Sequence, residues 1–554
     1  MVHRLLKGPF YFFRIRFILY FSIFAIIFYN WPSLGYKFNI NKDFSLIKGT
    51  LLIFSEYLLG IVILFIFLFI FSFSKTLLKL WCAFFIIFSS INSYYVFSYN
   101  IFLDELLLGA ILEANSNEAM GVIDYKLFIW ILFIGIIPLY LLLFKVRFIN
   151  NIRQSLGQRT LVFIKQCSIL FMIIAVTVAT IYVINPKLSN KRLVLSSLSI
   201  YLPFNYVAAL YQHFAVIKKS QYTNLIDIVK IAPFNFKDSS LNNEDINIIL
   251  VIGESARADR QSLNGYIRET NPNLSKIDNL ISFSKVTSCA TLSRVSVNCL
   301  LSHKTAQDFE LPVTHTNLIA AFKSLGFSTH FLSTQTMYEK NSNNFLVAAK
   351  EADEIVFANT IKTIMPSGVS IYDEHIFPFI DKLLKKPKTN LPHKRLIVMY
   401  LLGSHLPYET RYPDKFRIFP PDTSNYLINL NNRYDNSILY TDYFLSELIK
   451  KFENSKTFLY YVADHGESLG ENDVFFHGSP LSIAPKEQLN VAQFIWFSKS
   501  LIKFMPKQYD LIRAKKDDPI NHDYVFNTLF DCFNITSELV NTNLSLCQSE
   551  VVTK

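Results

Sequence analysis

Five long apolar runs dominate the first third of the chain, at residues 10–29, 51–73, 80–99, 127–144 and 161–184. A helix crossing a hydrocarbon core of about 30 Å needs roughly 20 such residues, so each run predicts a transmembrane helix. No later run matches them. The first lacks a small-residue cleavage site and has four further spans behind it, so it is expected to be retained rather than removed as a signal peptide. Beyond residue 184 the pattern changes. Residues 185–245 are mixed and polar with one further apolar patch at 201–211, which predicts a bridging segment with membrane-associated helices. From 246 onward short apolar runs alternate with helical patterns. The clearest strands are 246–252, 328–332, 396–402, 458–462 and 492–497; helical stretches include 316–325 and 434–452. Continuous apolar runs of strand length fit strands covered on both faces, and their alternation with helices predicts a mostly parallel α/β sheet. The expected organisation is a transmembrane domain over 1–184, a bridge over 185–245 and a soluble domain over 246–554.

Charge orients the membrane part. Arg4, Lys7, Arg14 and Arg16 precede the first span, Lys75 and Lys79 lie between the second and third, and Lys145, Arg147, Arg153 and Arg159 lie between the fourth and fifth. The connection at 99–126 instead carries Asp104, Glu105, Glu113, Glu118 and Asp124 against Lys126 alone. The positive-inside rule places the N-terminus in the cytoplasm, and five crossings then export the soluble domain. Within the connection, LDELLLGAILEANSNEA (103–119) fits a short amphipathic helix at the membrane face or a plain helical connector.

The composition is that of a membrane protein rather than a disordered, fibrous or ordinary soluble one: 51% of the 554 residues are apolar, 15% aromatic and only 18% charged. The net charge of +11 is accounted for by the cytoplasmic connections, so it gives no case for a nucleic-acid partner. Cys82 and Cys167 fall in expected spans. Cys289, Cys299, Cys532 and Cys547 fall in the exported part, where an even number at short spacing reads as two disulfides, 289 with 299 and 532 with 547; free buried thiols are the alternative.

Three of the expected strands run straight into acidic or imidazole side chains. Strand 246–252 leads to Gly253-Glu254-Ser255, strand 396–402 to Gly403-Ser404-His405, and strand 458–462 to Ala463-Asp464-His465-Gly466-Glu467; His477 follows in FFHG. Ligand sites of parallel sheets gather beyond the strands' carboxyl ends. Carboxylate oxygen and imidazole nitrogen there suit a divalent ion such as Zn²⁺. A hydroxyl nucleophile has several sources in TSCATLSRVSVNCLLS (287–302), a segment that by itself is equally a cap and turn. Metal binding to such an oxygen would lower its pKa for attack on phosphorus.

The segments VIGESARADRQSLNGY (251–266), VTSCATLSRVSVNC (286–299), GSHLPY (403–408), YDNSILYTDYFL (434–445) and ADHGESLGENDVFFHG (463–478) resemble, in order and spacing, the bacterial phosphoethanolamine transferases, among them the lipid A modifying enzymes behind polymyxin resistance. The resemblance covers nearly the whole chain. It implies five membrane helices plus a sulfatase/alkaline-phosphatase-like periplasmic domain, an inner-membrane location, and transfer of phosphoethanolamine from phosphatidylethanolamine to lipid A or another lipopolysaccharide group by a monomer. It also implies Glu254, Ser293, Asp464 and His465 around a catalytic zinc, with room for a second ion left open. Ser293 stands where the family carries its threonine nucleophile, and Thr291 is the alternative. His405 and His477 match family histidines that bind the phosphoryl group, a second metal or the leaving group. Asn115 and Glu118, in LEANSNEA (112–119), and Gln335, in FLSTQT, fall where the family holds substrate, and PFNY (203–206) matches a motif of its bridge. The loops around Tyr372 and Pro420, where family members often carry further disulfides, have no cysteines here. Other acceptors or donors (a periplasmic glucan, glycerophosphate from phosphatidylglycerol), a membrane-anchored phosphatase or sulfatase, and a non-catalytic sensor are the competing readings. The C/S-x-P-x-R motif of formylglycine sulfatases is absent from the sequence.

Overall fold

A computed structural model of the chain describes residues 9–40, 45–113, 123, 125–149, 168, 172–184, 201–222, 225–237, 241–336, 347, 349–366, 369–385, 392–481 and 483–548. It divides into two compact units, one formed by 1–108 and 122–213, the other by 109–121 and 214–554.

The first unit is helical. Helices α1 (Arg14–Asn30), α2 (Leu46–Ile70) and α3 (Lys75–Tyr99) are followed by α4 (Tyr125–Lys145). Among the described residues four helices are long and apolar enough to cross a membrane: Arg14–Ser33, Leu46–Phe73, Lys75–Tyr99 and Tyr125–Lys145. Of the fifth expected span only 168 and 172–184 are described, with an apolar helix at Met172–Ile184. These helices are apolar on their outer faces as well, with Phe54, Phe73, Phe128 and Phe133 exposed, as lipid-facing helices are. Several polar side chains of this unit turn inward. Buried Lys37 donates to Glu56 at 3.0 Å, and Tyr201 donates to the same carboxylate at 2.5 Å. Asn30 exchanges two hydrogen bonds with the backbone of Leu202, at 2.8 and 2.7 Å. Of the helix expected over 103–119, Glu105–Glu113 is helical; Asn115 and Glu118 lie outside the described residues.

In the second unit the strands are β1 (Ile246–Gly253), β2 (Leu280–Phe283), β3 (Ser328–Ser333), β4 (Glu354–Val356), β5 (Lys394–Tyr400), β6 (Thr457–Ala463) and β7 (Gln493–Phe497). They form one sheet in the order β2-β7-β6-β1-β5-β3-β4. β6, β1, β5, β3 and β4 run parallel, and β7 is antiparallel to both neighbours. Every residue of β1 and β6 is buried, which explains why their sequences are almost wholly apolar. The long helix α5 (Tyr426–Phe452) packs on the sheet through residues including Tyr434, Ile438, Phe444 and Leu448. It begins eight residues before the expected 434 because Asn425 caps it, accepting from the N–H groups of Leu427 and Ile428 at 3.0 and 3.1 Å. Disulfides join Cys289 to Cys299 and Cys532 to Cys547, and Cys82 is free and buried.

Candidate active site

β6, β1 and β5 end nearly level. Ala463 pairs with Gly253, and Ile252 with Tyr400. The residues that follow therefore emerge side by side: Glu254 after β1, Asp464 and His465 after β6, and the turn to His405 after β5. Asp464 N–H continues the ladder onto Gly253 O at 2.9 Å. The Asp464 carboxylate then accepts from the N–H groups of Ser255 and His465 at 3.0 and 2.7 Å, so one oxygen, Oδ1, is fixed by backbone. Its other oxygen, Oδ2, is buried with no hydrogen-bond partner.

Ser293 is the first residue of a helix, Ser293–Leu300, whose last turn is tied to the preceding loop by the Cys289–Cys299 disulfide. Its Oγ lies 3.0 Å from Glu254 Oε2 and 3.0 Å from His465 Nε2. His465 Nδ1 points at Gly466 O at 2.9 Å. A carbonyl only accepts, so Nδ1 carries the proton and Nε2 presents its lone pair to the centre. Glu254 is further held by Tyr400 Oη at 2.5 Å and Ser255 Oγ at 2.7 Å. Thr291 goes elsewhere: its hydroxyl donates to Ser479 O at 2.7 Å. The structure thus brings Ser293, not Thr291, to the carboxylates.

Two further imidazoles close the centre. The His477 ring lies 4.3 Å from that of His465 and 5.7 Å from that of His405, centroid to centroid. His477 Nδ1 donates to Glu467 Oε2 at 2.7 Å, and the other oxygen of this fully buried carboxylate accepts from Tyr408 Oη at 2.5 Å. Gly466 lets this loop lie against the 487–488 backbone: a Cβ there would sit 2.1 Å from Glu487 O. His405 Nδ1 donates to Leu406 O at 2.6 Å, again leaving Nε2 available. Gln335 sits beside the His405 turn, but its amide donates to Leu401 O at 2.9 Å, and it makes no bond to the other described site residues.

Burial sets the electrostatics. It pushes Asp464 well above the usual carboxylate range, and the neighbouring Glu254 charge pushes the same way. Burial opposes ionisation of Glu254 too, but His465, His405 and His477 together hold it down at about 2. His465 is pushed down to about 3 by burial and by His477, and stays neutral. Burial also disfavours charge on His477, yet the Glu467 carboxylate more than offsets it and raises the group to about 9. Two carboxylates and a neutral imidazole, with donor atoms within 4.8 Å of one another and one carboxylate oxygen lacking any donor, fit a divalent cation.

Among known proteins, the Sulfatase family model matches residues 246–535, more than half of the chain, and the model for "Phosphoethanolamine transferase EptA/EptB" matches 61–218. The chain belongs to the phosphoethanolamine transferases of the sulfatase family. A curated relative, the phosphoethanolamine transferase EptA of Helicobacter pylori, is 29% identical over 537 residues, covering 93% of this chain and 92% of its own. The solved structure of the integral membrane lipooligosaccharide phosphoethanolamine transferase A of Neisseria meningitidis shares the fold, with a TM-score of 0.76 at 21% identity over 97% of this chain and 98% of that one. The periplasmic domain of EptC from Escherichia coli, solved in complex with zinc, matches the catalytic fold with a TM-score of 0.51 at 23% identity, over 60% of this chain and 92% of that one.

Tyr400, Tyr408 and Glu467 are neighbours of the centre that the sequence pattern does not single out. A tyrosine in a continuous apolar strand is a usable signal for the first, because a buried phenol needs a partner. Glu467 stands inside a quoted motif, but nothing in the spacing shows that it faces a histidine ten residues on.

Proposed function

We propose that this transferase moves phosphoethanolamine from phosphatidylethanolamine to lipid A, or to another group of the lipopolysaccharide, through a covalent intermediate on Ser293. The observation that carries the reading is the convergence of Ser293 Oγ, Glu254 and His465 Nε2 within 3.0 Å contacts, beside the partnerless Oδ2 of Asp464. Glu254, Asp464, His465 and Ser293 are the residues that would hold a Zn²⁺. When bound, the ion supplies a lowered pKa for the Ser293 hydroxyl and compensation for charge on the phosphoryl oxygens.

The protein's own groups account for the rest. Ser293 Oγ, its proton released to solvent, forms the bond to phosphorus as the bond to the glycerol oxygen breaks, and diacylglycerol leaves. His477, kept protonated by Glu467, gives a proton to the departing oxygen; in the second step the acceptor oxygen displaces Ser293 Oγ, His405 Nε2 taking the proton of an acceptor hydroxyl, and exchange with solvent returns protons to Ser293 and His477 and removes the one on His405. The N-terminal end of the Ser293 helix, with its positive dipole, favours the anionic phosphoryl group. Gln335, Asn115 and Glu118 are assigned to substrate binding on the resemblance alone.

The relatives' names support the transferred group, the acceptor class and the metal: the Neisseria protein is a lipooligosaccharide phosphoethanolamine transferase, and the E. coli domain was solved in complex with zinc. Five crossings, with 1–184 in the inner membrane, a bridge over 185–245 and residues 246–554 as a monomeric catalytic domain in the periplasm, complete the reading. A membrane anchor makes sense because donor and acceptor are both lipids. Mass spectrometry of envelope glycolipids with and without the gene tests it: a phosphoethanolamine increment present only with the gene is expected, and identical glycolipids would refute it.

A further inference from the structure

The turn that carries His405 is held by a carboxylate outside all of the motifs. On its inner side the chain after β5 is zipped to β1: Leu401 N–H donates to Ile252 O at 3.1 Å and Ser404 N–H to Glu254 O at 2.9 Å. The turn itself passes through Gly403 at φ +48°, where a Cβ would lie 2.8 Å from the backbone N and O of Glu254, so no larger residue fits. That close approach leaves the N–H groups of Leu402 and Gly403 facing away from β1, in the interior. They meet Asp373, at 2.8 Å to Oδ1 and 3.1 Å to Oδ2. Asp373 is itself fully buried and takes a third bond from Thr334 Oγ1 at 2.5 Å, and that hydroxyl also accepts from Leu402 N–H at 2.9 Å. The turn then closes with His405 N–H on Leu402 O at 3.2 Å. Asp373 is therefore joined to His405 through the backbone that aims the imidazole, and it touches none of the proposed metal ligands.

We propose that Asp373 is a positioning residue for the transfer reaction, fixing His405 in the centre through the N–H groups of Leu402 and Gly403. The proposal rests on the reading above that His405 acts in catalysis. Loss of the carboxylate leaves the buried Gly403 N–H without a partner and Leu402 N–H held by Thr334 Oγ1 alone. The turn would then relax by repositioning, and displacements on the order of 1 Å in a catalytic group cost about 100-fold in rate.

The test is a double-mutant cycle on the full chain in detergent, with fluorescent phosphatidylethanolamine as donor and lipid A as acceptor. Asp373→Asn is expected to lower kcat by roughly 10- to 100-fold with KM changed less than about threefold, and to leave zinc stoichiometry unchanged. In a His405→Gln background the same substitution is expected to cost nothing further, because there is no imidazole left to aim. A wild-type kcat for Asp373→Asn, or a loss that multiplies undiminished in the His405→Gln background, overturns the proposal. If Asp373→Asn does not fold, Thr334→Val, which keeps the carboxylate and removes only the shared hydroxyl, carries the same cycle; a loss in kcat of roughly three- to tenfold, absent without His405, is expected. Retained activity of His405→Gln at the wild-type level would remove the role of His405, and this proposal with it. An inactive Ser293→Ala beside additive losses at Asp373 and His405 would leave the transfer mechanism standing and sink only the positioning claim.

Discussion

At the residue scale the two hydroxyls of the 287–302 segment separate cleanly. Ser293→Ala removes the oxygen that lies 3.0 Å from Glu254 and His465, and transfer is expected to fall to the background of the lipid assay. Thr291→Val removes a hydroxyl already committed to Ser479 O; it is expected to cost stability by about 1 kcal/mol, read in thermal melts, while transfer persists. Glu467→Gln keeps the shape that meets Tyr408 but removes the charge that holds His477 protonated. Turnover is expected to fall by about 10- to 100-fold, the usual cost of losing the group that orients a catalytic imidazole, with zinc content unchanged. Much of this centre is legible in the sequence, because Glu254, His405, Asp464 and His465 each stand just past an apolar run that reads as a strand. Asp373 and Tyr408 are not, since each acts through a contact made by the fold and neither lies at a strand end.

At the element scale the centre depends on parallel strands stopping in register. β1, β5 and β6 can be read directly because burial on both faces leaves each a continuous apolar stretch, at Ile248–Ile252, Leu396–Tyr400 and Phe458–Ala463. β2 cannot: Leu280–Phe283 alternates between half-buried and buried positions, the weak signature of a short edge strand. β4, only three residues long and opening on Glu354, carries still less pattern. The start of α5 is hidden because asparagines at 429, 431 and 432 are poor helix formers, while the cap that rescues the first turns is a side-chain contact of Asn425. Asn425→Ala is expected to cost about 1 kcal/mol, measured by denaturant unfolding. Ile249→Ala, which opens a hole beneath the centre in the fully buried β1, is expected to cost roughly 2–5 kcal/mol.

At the scale of the whole molecule, acid is expected to weaken the catalytic unit. His522 is buried and neutral: its Nδ1 accepts from Cys289 N–H at 3.1 Å and its Nε2 donates to Ala463 O at 3.0 Å. Burial pushes the group down to about 3, below its unfolded value of about 6.5. The unfolded chain thus binds the proton more readily, so stability is full above about pH 6.5 and declines as pH falls toward 3. Melting temperatures between pH 7.5 and 5 should show this slope, and His522→Gln should flatten it. The expected membrane orientation rests on the linear order of lysines and arginines and draws on no packing. The clustering of three imidazoles with three carboxylates, by contrast, draws on residues from 254 to 477 and exists only in the folded sheet.

The central claim is that Ser293 carries the phosphoethanolamine group. The direct measurement is peptide mass spectrometry of the purified, zinc-loaded protein after brief exposure to phosphatidylethanolamine without acceptor. The account predicts a phosphoethanolamine adduct on Ser293, discharged when lipid A is added and absent from Ser293→Ala. An adduct on Thr291, or transfer by Ser293→Ala at the wild-type rate with no adduct formed, would contradict it.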